Sequence, residues 1–357
     1  MSNKKPVTLL DLSNQLGISI NTVSKALRGL PGMSERTRAA IVKAAVQSGY
    51  RTKDQERSLV MERIPVIPHR QRHFKLIVPS WEKGWQMYQL LLEGLQEKLS
   101  EHGHLIETLL ILDGLSEGSS FEEWADKHNL AYVDGIFIPP IPRMYEKLLL
   151  ALPIPTVLLN FPPPSAEVDC AAWDVGTAIH KSVQYLLSNG HRDILYIGNH
   201  TEQRGYRMRW QSFVEAMKEA NVNVSPENHV TGSFKLREEW IAQFVDKLEQ
   251  MQPTALLYGL GGNVAWVYHV CSSLGKRIPN DLSLISLEDG SSEDMPELSR
   301  PYLLIRETGI RGAERMLWRL ANPTLPYEHI LLQGGFYEGK TVQKCGESGF
   351  GNNLGRM

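Results

Sequence analysis

Along the first fifty residues, apolar positions recur at helical spacing in three short blocks separated by turn formers. Leu9, Leu12 and Leu16 fall at i, i+3 and i+7, one face of a helix over Leu9–Leu16, and Gly17 suits the left-handed position that ends it. Ser19 is placed to cap a second helix, Ile20–Arg28, which carries Val23 and Leu27 on one face. Only Gly17-Ile18-Ser19 joins the two, so the second helix must turn sharply across the first, as in a helix-turn-helix. After Gly29, Ser34 caps a third helix running from Glu35 to about Ser48. Its Ile41, Ala44, Ala45 and Ser48 make a narrow, small-residue face that can approach the other two closely. Gly49 closes it, and Tyr50 is positioned to fold back onto the core.

From Phe74 onward the pattern changes to short apolar runs alternating with longer amphipathic stretches, the signature of a parallel sheet with helices on its faces. The runs predict strands at Phe74–Val78, Leu105–Leu112, Gly135–Pro139, Thr156–Asn160, Ile194–Gly198, Ala255–Gly259 and Leu282–Leu287. Helices are predicted over Gln86–Glu101, Asp174–Ser188, Arg207–Ala220, Glu238–Gln250 and Asn263–Leu274. Pro162-Pro163-Pro164 interrupts the series near its middle and reads as a hinge between two similar doubly wound lobes. Such lobes face each other across a cleft, where small ligands bind in sheets of this kind.

Charge separates the two regions. Residues 1–60 hold ten Lys/Arg against four acids, net +6, whereas the rest hold 28 against 36, net −8. A basic head on an acidic body suits a polyanion-binding module that leaves its other domain free of the polyanion. On the second helix, Asn21, Thr22, Ser24, Lys25 and Arg28 face away from the Val23/Leu27 seam, close to a helix N-terminus that itself attracts anions. Short hydroxyls suit phosphate contacts, and Ile20, Asn21 and Lys25 are placed to reach base edges in a major groove. A three-helix packing module with a solvated polar face is the plainer reading of the same pattern.

The hydroxyl and lysine positions fall into a recognisable order. Val7-Thr8-Leu9-Leu10-Asp11-Leu12, Gly17-Ile18-Ser19, Thr22-Val23-Ser24-Lys25-Ala26-Leu27, Met33-Ser34-Glu35-Arg36-Thr37-Arg38 and Ser48-Gly49-Tyr50 resemble the head of the lactose-repressor (LacI/GalR) family. The resemblance implies that Ile20, Asn21 and Lys25 read bases and that Thr8, Ser19, Thr22, Ser24, Ser34 and Thr37 hold phosphates. Lysine stands at 25 where arginine is commoner in the family, and it cannot make the same planar two-pronged contact to guanine. Past Tyr50, Thr52-Lys53 replaces the family's Pro-Asn, and Glu56-Arg57-Ser58-Leu59 replaces its Ala-Arg-x-Leu hinge, leaving Leu59 as the candidate minor-groove wedge. Residues 60–72, with Pro65, Pro68, Arg63, Arg70 and Arg72, read as a basic linker.

The body resembles the family at Asp174-Val175-Gly176, across residues 186–194, at Arg209-Trp210-Gln211-Ser212-Phe213, at Pro253-Thr254-Ala255 and across residues 278–283. This implies an all-α head on residues 1–59 and an α/β body on 73–340 with two doubly wound, periplasmic-binding-protein-like lobes. Residues 341–357 read as a flexible tail, within a Gly-, Ser-, Asn- and Lys-rich stretch from Gly334 that is expected to fray. The implied partners are a near-palindromic double-stranded DNA operator, a second copy of the chain, and a small-molecule effector such as a sugar.

Candidate ligand contacts are Trp81, Trp85, Trp173 and Phe234 as flat stacking faces, Arg209, which the resemblance implies donates N–H groups to effector hydroxyls, and Asn160, Glu288 and Asp289 at strand ends. Each aromatic could equally be packing. The family's Asn-Asp is Gly261-Gly262 here, its Asp-Asp is Glu288-Asp289, and Tyr302–Glu307 replaces its Leu-Thr-Thr-x-x-Gln, so the usual hydroxyl contacts are thinned. Control of the DNA-binding head by a protein partner, or by no effector, is the alternative.

Other functions find little support. The body has no Gly-x-Ser-x-Gly elbow and no metal-ligand spacing, so no enzyme and no cofactor is expected. His191, His200 and His229 read as isolated surface or capping residues. Gly259-Leu260-Gly261-Gly262 follows a strand but lacks the rest of a nucleotide-binding fingerprint. The basic N-terminus lacks an apolar leader, and no run of 18 apolar residues occurs, so neither secretion nor a membrane span is expected and the cytoplasm is the expected compartment. Three scattered cysteines fit reduced, unreactive thiols.

Overall fold

The computed structural model describes residues 7–48, 50, 71–79, 85–111, 120–200, 203–232, 234, 236–260, 264–287 and 297–346. The chain divides into two compact units, Met1–Pro68 and His69–Met357. In the first, helices α1 (Leu9–Leu16), α2 (Ile20–Leu27) and α3 (Glu35–Ser48) enclose Leu12, Val23, Ala26, Ile41 and Ala45. Thr8 and Asp11 form a reciprocal capping box at the start of α1, and Gly17 ends that helix at φ 63°. The buried Ser13 hydroxyl donates to the Ile18 carbonyl at 2.5 Å, fixing the tight turn into α2.

The second unit contains two lobes. Lobe 1 is built on β1 (His73–Val78), β2 (Leu105–Leu110), β3 (Gly135–Ile138), β4 (Thr156–Leu158) and β5 (Asp169–Trp173). Lobe 2 is built on β6 (Ile194–Ile197), β7 (Ala255–Tyr258) and β8 (Ser283–Ser286), and three short strands follow: β9 (Arg300–Pro301), β10 (His329–Leu332) and β11 (Phe336–Tyr337). The first sheet runs β10-β5-β4-β3-β1-β2 with every pairing parallel, and the second runs β6-β7-β8, also parallel. Strands β3, β5, β6, β7 and β8 are buried at every position, as expected of parallel strands covered on both faces, whereas the edge strand β2 alternates.

Lobe 1 carries helices α4 (Trp85–Glu101), α5 (Phe121–Lys127) and α6 (Arg143–Leu150). Lobe 2 carries α7 (Val175–Ser188), α8 (Arg204–Glu219), α9 (Arg237–Met251) and α10 (Ala265–Ser273). The chain then returns to lobe 1 as α11 (Ile305–Ala321), which packs on α4. The crossing is glycine-dependent. A Cβ at Gly94 would stand 2.0 Å from the Arg306 carbonyl oxygen, and one at Gly309 would stand 2.3 Å from that of Leu91. The chain therefore passes between lobes three times, after β5, after β9 and after β10.

The buried Asp169 on β5 anchors that return. Its Oδ1 accepts from Arg315 Nε at 2.8 Å and from the Glu328 backbone at 2.9 Å, and its Oδ2 accepts from Arg319 Nε at 2.6 Å. Arg319 also donates to the carbonyls of Asn322, Pro323, Leu325 and Pro326, shaping the turn between α11 and β10.

Several expectations need correction. Pro162-Pro163-Pro164 is not the lobe boundary: β5 follows it and pairs with β4, so the run is a connection inside lobe 1. The residues from 334 do not fray as far as they are described. Phe336–Tyr337 pairs antiparallel with Arg300–Pro301, and the buried Thr341 hydroxyl donates to Leu284 and accepts from the Ser299 backbone, so the flexible tail does not begin at 341. His191 and His229 are buried, at 2% and 1% exposure, rather than at the surface. His191 bridges the Thr254 hydroxyl and the Gln343 carbonyl, and His229 Nδ1 accepts from the Tyr196 backbone.

Two predictions follow from packing and burial. Gly309→Ala drives a methyl into backbone and should lower unfolding stability by about 1–3 kcal/mol, read as a lower urea midpoint at constant slope; an unchanged midpoint would show that the helices separate freely. Burial depresses the His229 pKa to about 4, against an ordinary value near 6.5. His102, His104 and His191 shift in the same direction, also chiefly through burial. Stability is then complete above pH about 6.5 and falls as pH drops toward 4, because the unfolded chain binds the protons first; His229 alone accounts for roughly 3 kcal/mol of the loss. His229→Gln should flatten that acid limb in urea titrations taken at a series of pH values.

Candidate nucleic-acid interface and lobe cleft

On the head, α2 buries Val23 and Ala26 and leaves Ile20, Asn21, Lys25 and Arg28 exposed. An isoleucine 44% exposed at the first position of a helix contributes little to the core and offers an apolar surface of the kind that meets thymine methyls. The serine and threonine positions prove to be helix caps. Ser19 Oγ accepts from the Thr22 backbone at 3.1 Å and lies 2.8 Å from Thr22 Oγ1. Ser34 and Thr37 repeat the same arrangement at the same two distances. Thr8 completes the set at α1. Three helix N-termini thus each display a hydroxyl, and the helix dipole favours an anion beside it. Ser24 lies half-buried on α2, its carbonyl accepting from Arg28 Nε at 3.3 Å.

Sequence reasoning missed the part played by Arg38. From α3 it donates to the Ala26 carbonyl at 3.2 Å and the Leu30 carbonyl at 2.7 Å, satisfying the C-terminal end of α2 and holding the two helices together. An arginine in a basic head reads first as a phosphate contact, which conceals this role. The candidate wedge Leu59 lies outside the described residues.

In the body, Trp81, Glu288 and Asp289 also lie outside the described residues, and Trp85 is placed only as the first residue of α4. Asn160, just past β4, is 8% exposed, and its Oδ1 accepts from the Phe161 backbone. Trp173 ends β5 with 6% exposure, so little of its ring is open. Phe234 is half-buried, and its ring fills the space beside Gly232 in lobe 2. Arg209 on α8 donates to the Gly259 carbonyl at 2.7 Å and lies 5.1 Å from the Tyr206 ring centre. Among the described residues its Nε, shielded from solvent, has no acceptor, and neither has the hydroxyl of Tyr196, which is buried between Gly198 and Gly259.

The contacts between lobes fall on residues the sequence reading left out. Predicting α8 to begin at Arg207 removed Arg204 from view. Arg204 Nη2 meets Glu146 Oε2 on α6 at 2.5 Å, and its Nε donates to the Phe161 carbonyl at 2.8 Å. Close by, Tyr206 stands near enough to Tyr88 of α4 to add to the effect of burial, which pushes the Tyr88 hydroxyl up to about 12; that hydroxyl donates to the Pro140 carbonyl at 3.0 Å.

A capped three-helix head with an exposed second helix, followed by two parallel-sheet lobes crossed three times, defines a DNA-binding transcription regulator with a ligand-binding type of body. Comparison with known proteins agrees. Residues 183–342 match the periplasmic binding protein-like domain. The HTH-type transcriptional repressor PurR of Vibrio vulnificus is 25% identical over 323 residues, covering 88% of this chain and 92% of its own. The ribose operon repressor of Escherichia coli K12 is 22% identical, covering 91% and 96% respectively. Among solved structures, a lac repressor dimer bound to operator and the anti-inducer ONPF aligns with TM-score 0.62 at 17% identity over 95% of this chain and 100% of that one. The regulator CelR in complex with cellobiose aligns with TM-score 0.63 at 19% identity, covering 94% and 99%. Over most of its length the chain is thus similar to transcription repressors of the LacI/GalR type.

The two basic residues of the head should separate by readout. Arg38→Ala should speed hydrogen exchange across α2 and destabilise the head by about 1–3 kcal/mol, whereas Lys25→Ala, at an exposed position, should leave exchange within about 0.5 kcal/mol of the parent. Equal exchange in both variants would remove the structural role given to Arg38.

Proposed function

We propose that the chain is a cytoplasmic repressor that binds a near-palindromic operator as a homodimer and responds to a small molecule, such as a sugar, held between its lobes. The observation that carries this reading is the second helix, which hides Val23 and Ala26 while presenting Ile20, Asn21 and Lys25 outward beside capped helix N-termini. In this reading Ile20, Asn21 and Lys25 contact base edges. Thr8, Ser19, Thr22, Ser24, Arg28, Ser34 and Thr37 contact phosphates, and Leu59 enters the minor groove. One three-helix module reads too few base pairs for useful discrimination, and two copies reading matched half-sites multiply it.

The cleft reading rests on the two-lobe architecture, with Arg209, Asn160, Trp173, Phe234, Trp81, Trp85, Glu288 and Asp289 as its candidate ligand contacts. The relatives' printed names include repressors of ribose operons and a regulator complexed with cellobiose, which supports a polyhydroxylated effector. The replacement of the family's polar pair by Gly261-Gly262 favours a second reading, in which a protein partner or no effector controls the head. A thermal-shift screen separates them, because a ligand that binds only the native body raises Tm by mass action.

Selection from a random DNA library with the full-length protein at two salt concentrations tests the main reading. A palindrome with half-sites in major-groove register is expected; retention that is salt-sensitive but without any motif would overturn sequence-specific regulation. Against the selected site, Lys25→Ala should cost about 1–3 kcal/mol and relax preference at one position, while an equal loss on random DNA would make Lys25 a phosphate contact. Leu59→Ala should also weaken operator binding, and unchanged affinity would mean that the hinge does not insert.

A further inference from the structure

We infer that Glu146 and Arg204 form a latch, supplied by the chain itself, that holds the two lobes together in the absence of any small molecule. Glu146 belongs to α6 in lobe 1, and Arg204 is the first residue of α8 in lobe 2. Their contact of 2.5 Å is the one ion pair that joins the lobes among the described residues. Both ends are withdrawn from solvent, with the carboxylate side chain 3% and the guanidinium side chain 14% exposed, so the attraction is weakly screened by water and salt.

The geometry is two-pronged. While one edge of the Arg204 guanidinium meets Glu146, its Nε donates to the carbonyl of Phe161, at the exit of β4. A single lobe 2 side chain therefore grips lobe 1 at a helix and at a strand end. The backbone follows it closely, since a Cβ at Gly205 would touch the Phe161 ring at 3.9 Å. Separating the lobes at this point parts these contacts, and parting them strands a buried carboxylate without its counter-charge.

A ligand shifts a two-state equilibrium only by its differential affinity for the two states. A protein that closes on its own side chains leaves an effector little closing to accomplish. An effector of this regulator must instead stabilise an arrangement the latch already favours or compete with Glu146 for Arg204. The device stands on lobe geometry alone, so it survives even if the effector or the operator assigned above proves wrong.

The test uses ligand-free, DNA-free full-length protein with Cys345→Ser, spin-labelled at Met144→Cys on lobe 1 and Gln211→Cys on lobe 2, both exposed positions. Dilution with excess unlabelled protein suppresses distances between copies, and pulsed electron resonance reads the separation of the two labels. The parent should give one narrow distance. Glu146→Gln, which keeps the side-chain size and removes the charge, should broaden and lengthen the distribution, and a thermal melt confirms that the variant is folded. Arg204→Gln should do the same, and the double variant should open no further than Arg204→Gln alone, because the pair acts as a unit. A broad distribution in the parent, an unchanged one in folded Glu146→Gln, or additive opening in the double variant would each overturn the latch. Should either single variant fail to fold, Arg204→Lys, which retains the charge but loses the second prong, replaces it and is expected to open the cleft partially; a parent-like distance there would count against the latch.

Discussion

The carboxylate of Asp169 decides whether lobe 1 exists as a unit. Three groups converge on it, two of them guanidiniums from successive turns of α11 and the third the backbone of Glu328 just before β10. A carboxylate and two arginines at this depth carry a large desolvation cost, which only full pairing offsets. The pairing is nearly complete: Arg319 spends its remaining donors on the turn carbonyls, and Arg315 meets Glu328 and stacks 3.8 Å from the Trp318 ring. Apolar residues there would pack as well but would not select which strand pairs beside β5. The charge cluster does select, since β10 has partly exposed, weakly specifying side chains of its own.

From that anchor the rest of lobe 1 follows. With its C-terminal end fixed at Asp169, α11 lies along α4 at a distance only glycine permits, and α4 in turn covers the sheet. Lobe 2 depends on the same return, because the chain that leaves β10 supplies Thr341, whose hydroxyl joins Leu284 to Ser299 across the sheet edge. The two lobes are thus interdependent at the covalent hinges and pinned once more across the cleft by Arg204.

Much of this was legible in the sequence, and the misses have physical causes. The three head helices stand where leucine spacing and Ser, Thr and Gly punctuation place them, since local capping signals dominate in so small a module. The seven strands read from apolar runs are all present. Strand β5, Asp-Cys-Ala-Ala-Trp, escaped because its residues are small and it opens with a charge that only tertiary partners explain. Helix α11 escaped for a related reason: its buried face includes two glycines, a threonine and two arginines, so hydrophobic periodicity understates its burial. The tail looked flexible by composition, yet its glycines at 334 and 339 mark close backbone approaches to Tyr302 and Glu297, not freedom. Of the candidate site, the head face was readable because exposed polar residues on a recognition helix follow from helical geometry. The interlobe contact was not, because it joins residues 58 positions apart whose meeting depends on how two sheets are oriented.

The threading of the chain also orders its synthesis. On a ribosome the head emerges first, and its three helices hold all of their own core. Lobe 1 begins next but cannot be finished, because its edge strand β10 and its covering helix α11 lie beyond residue 300. The central strands and flanking helices of lobe 2, encoded in between, are therefore complete while the earlier lobe still exposes one flank of β5 and the face of α4. For the time it takes to translate roughly 150 residues, at about 5–20 residues per second, the nascent protein carries an unpaired parallel edge and a naked Asp169. That interval is when a chaperone would have most to protect.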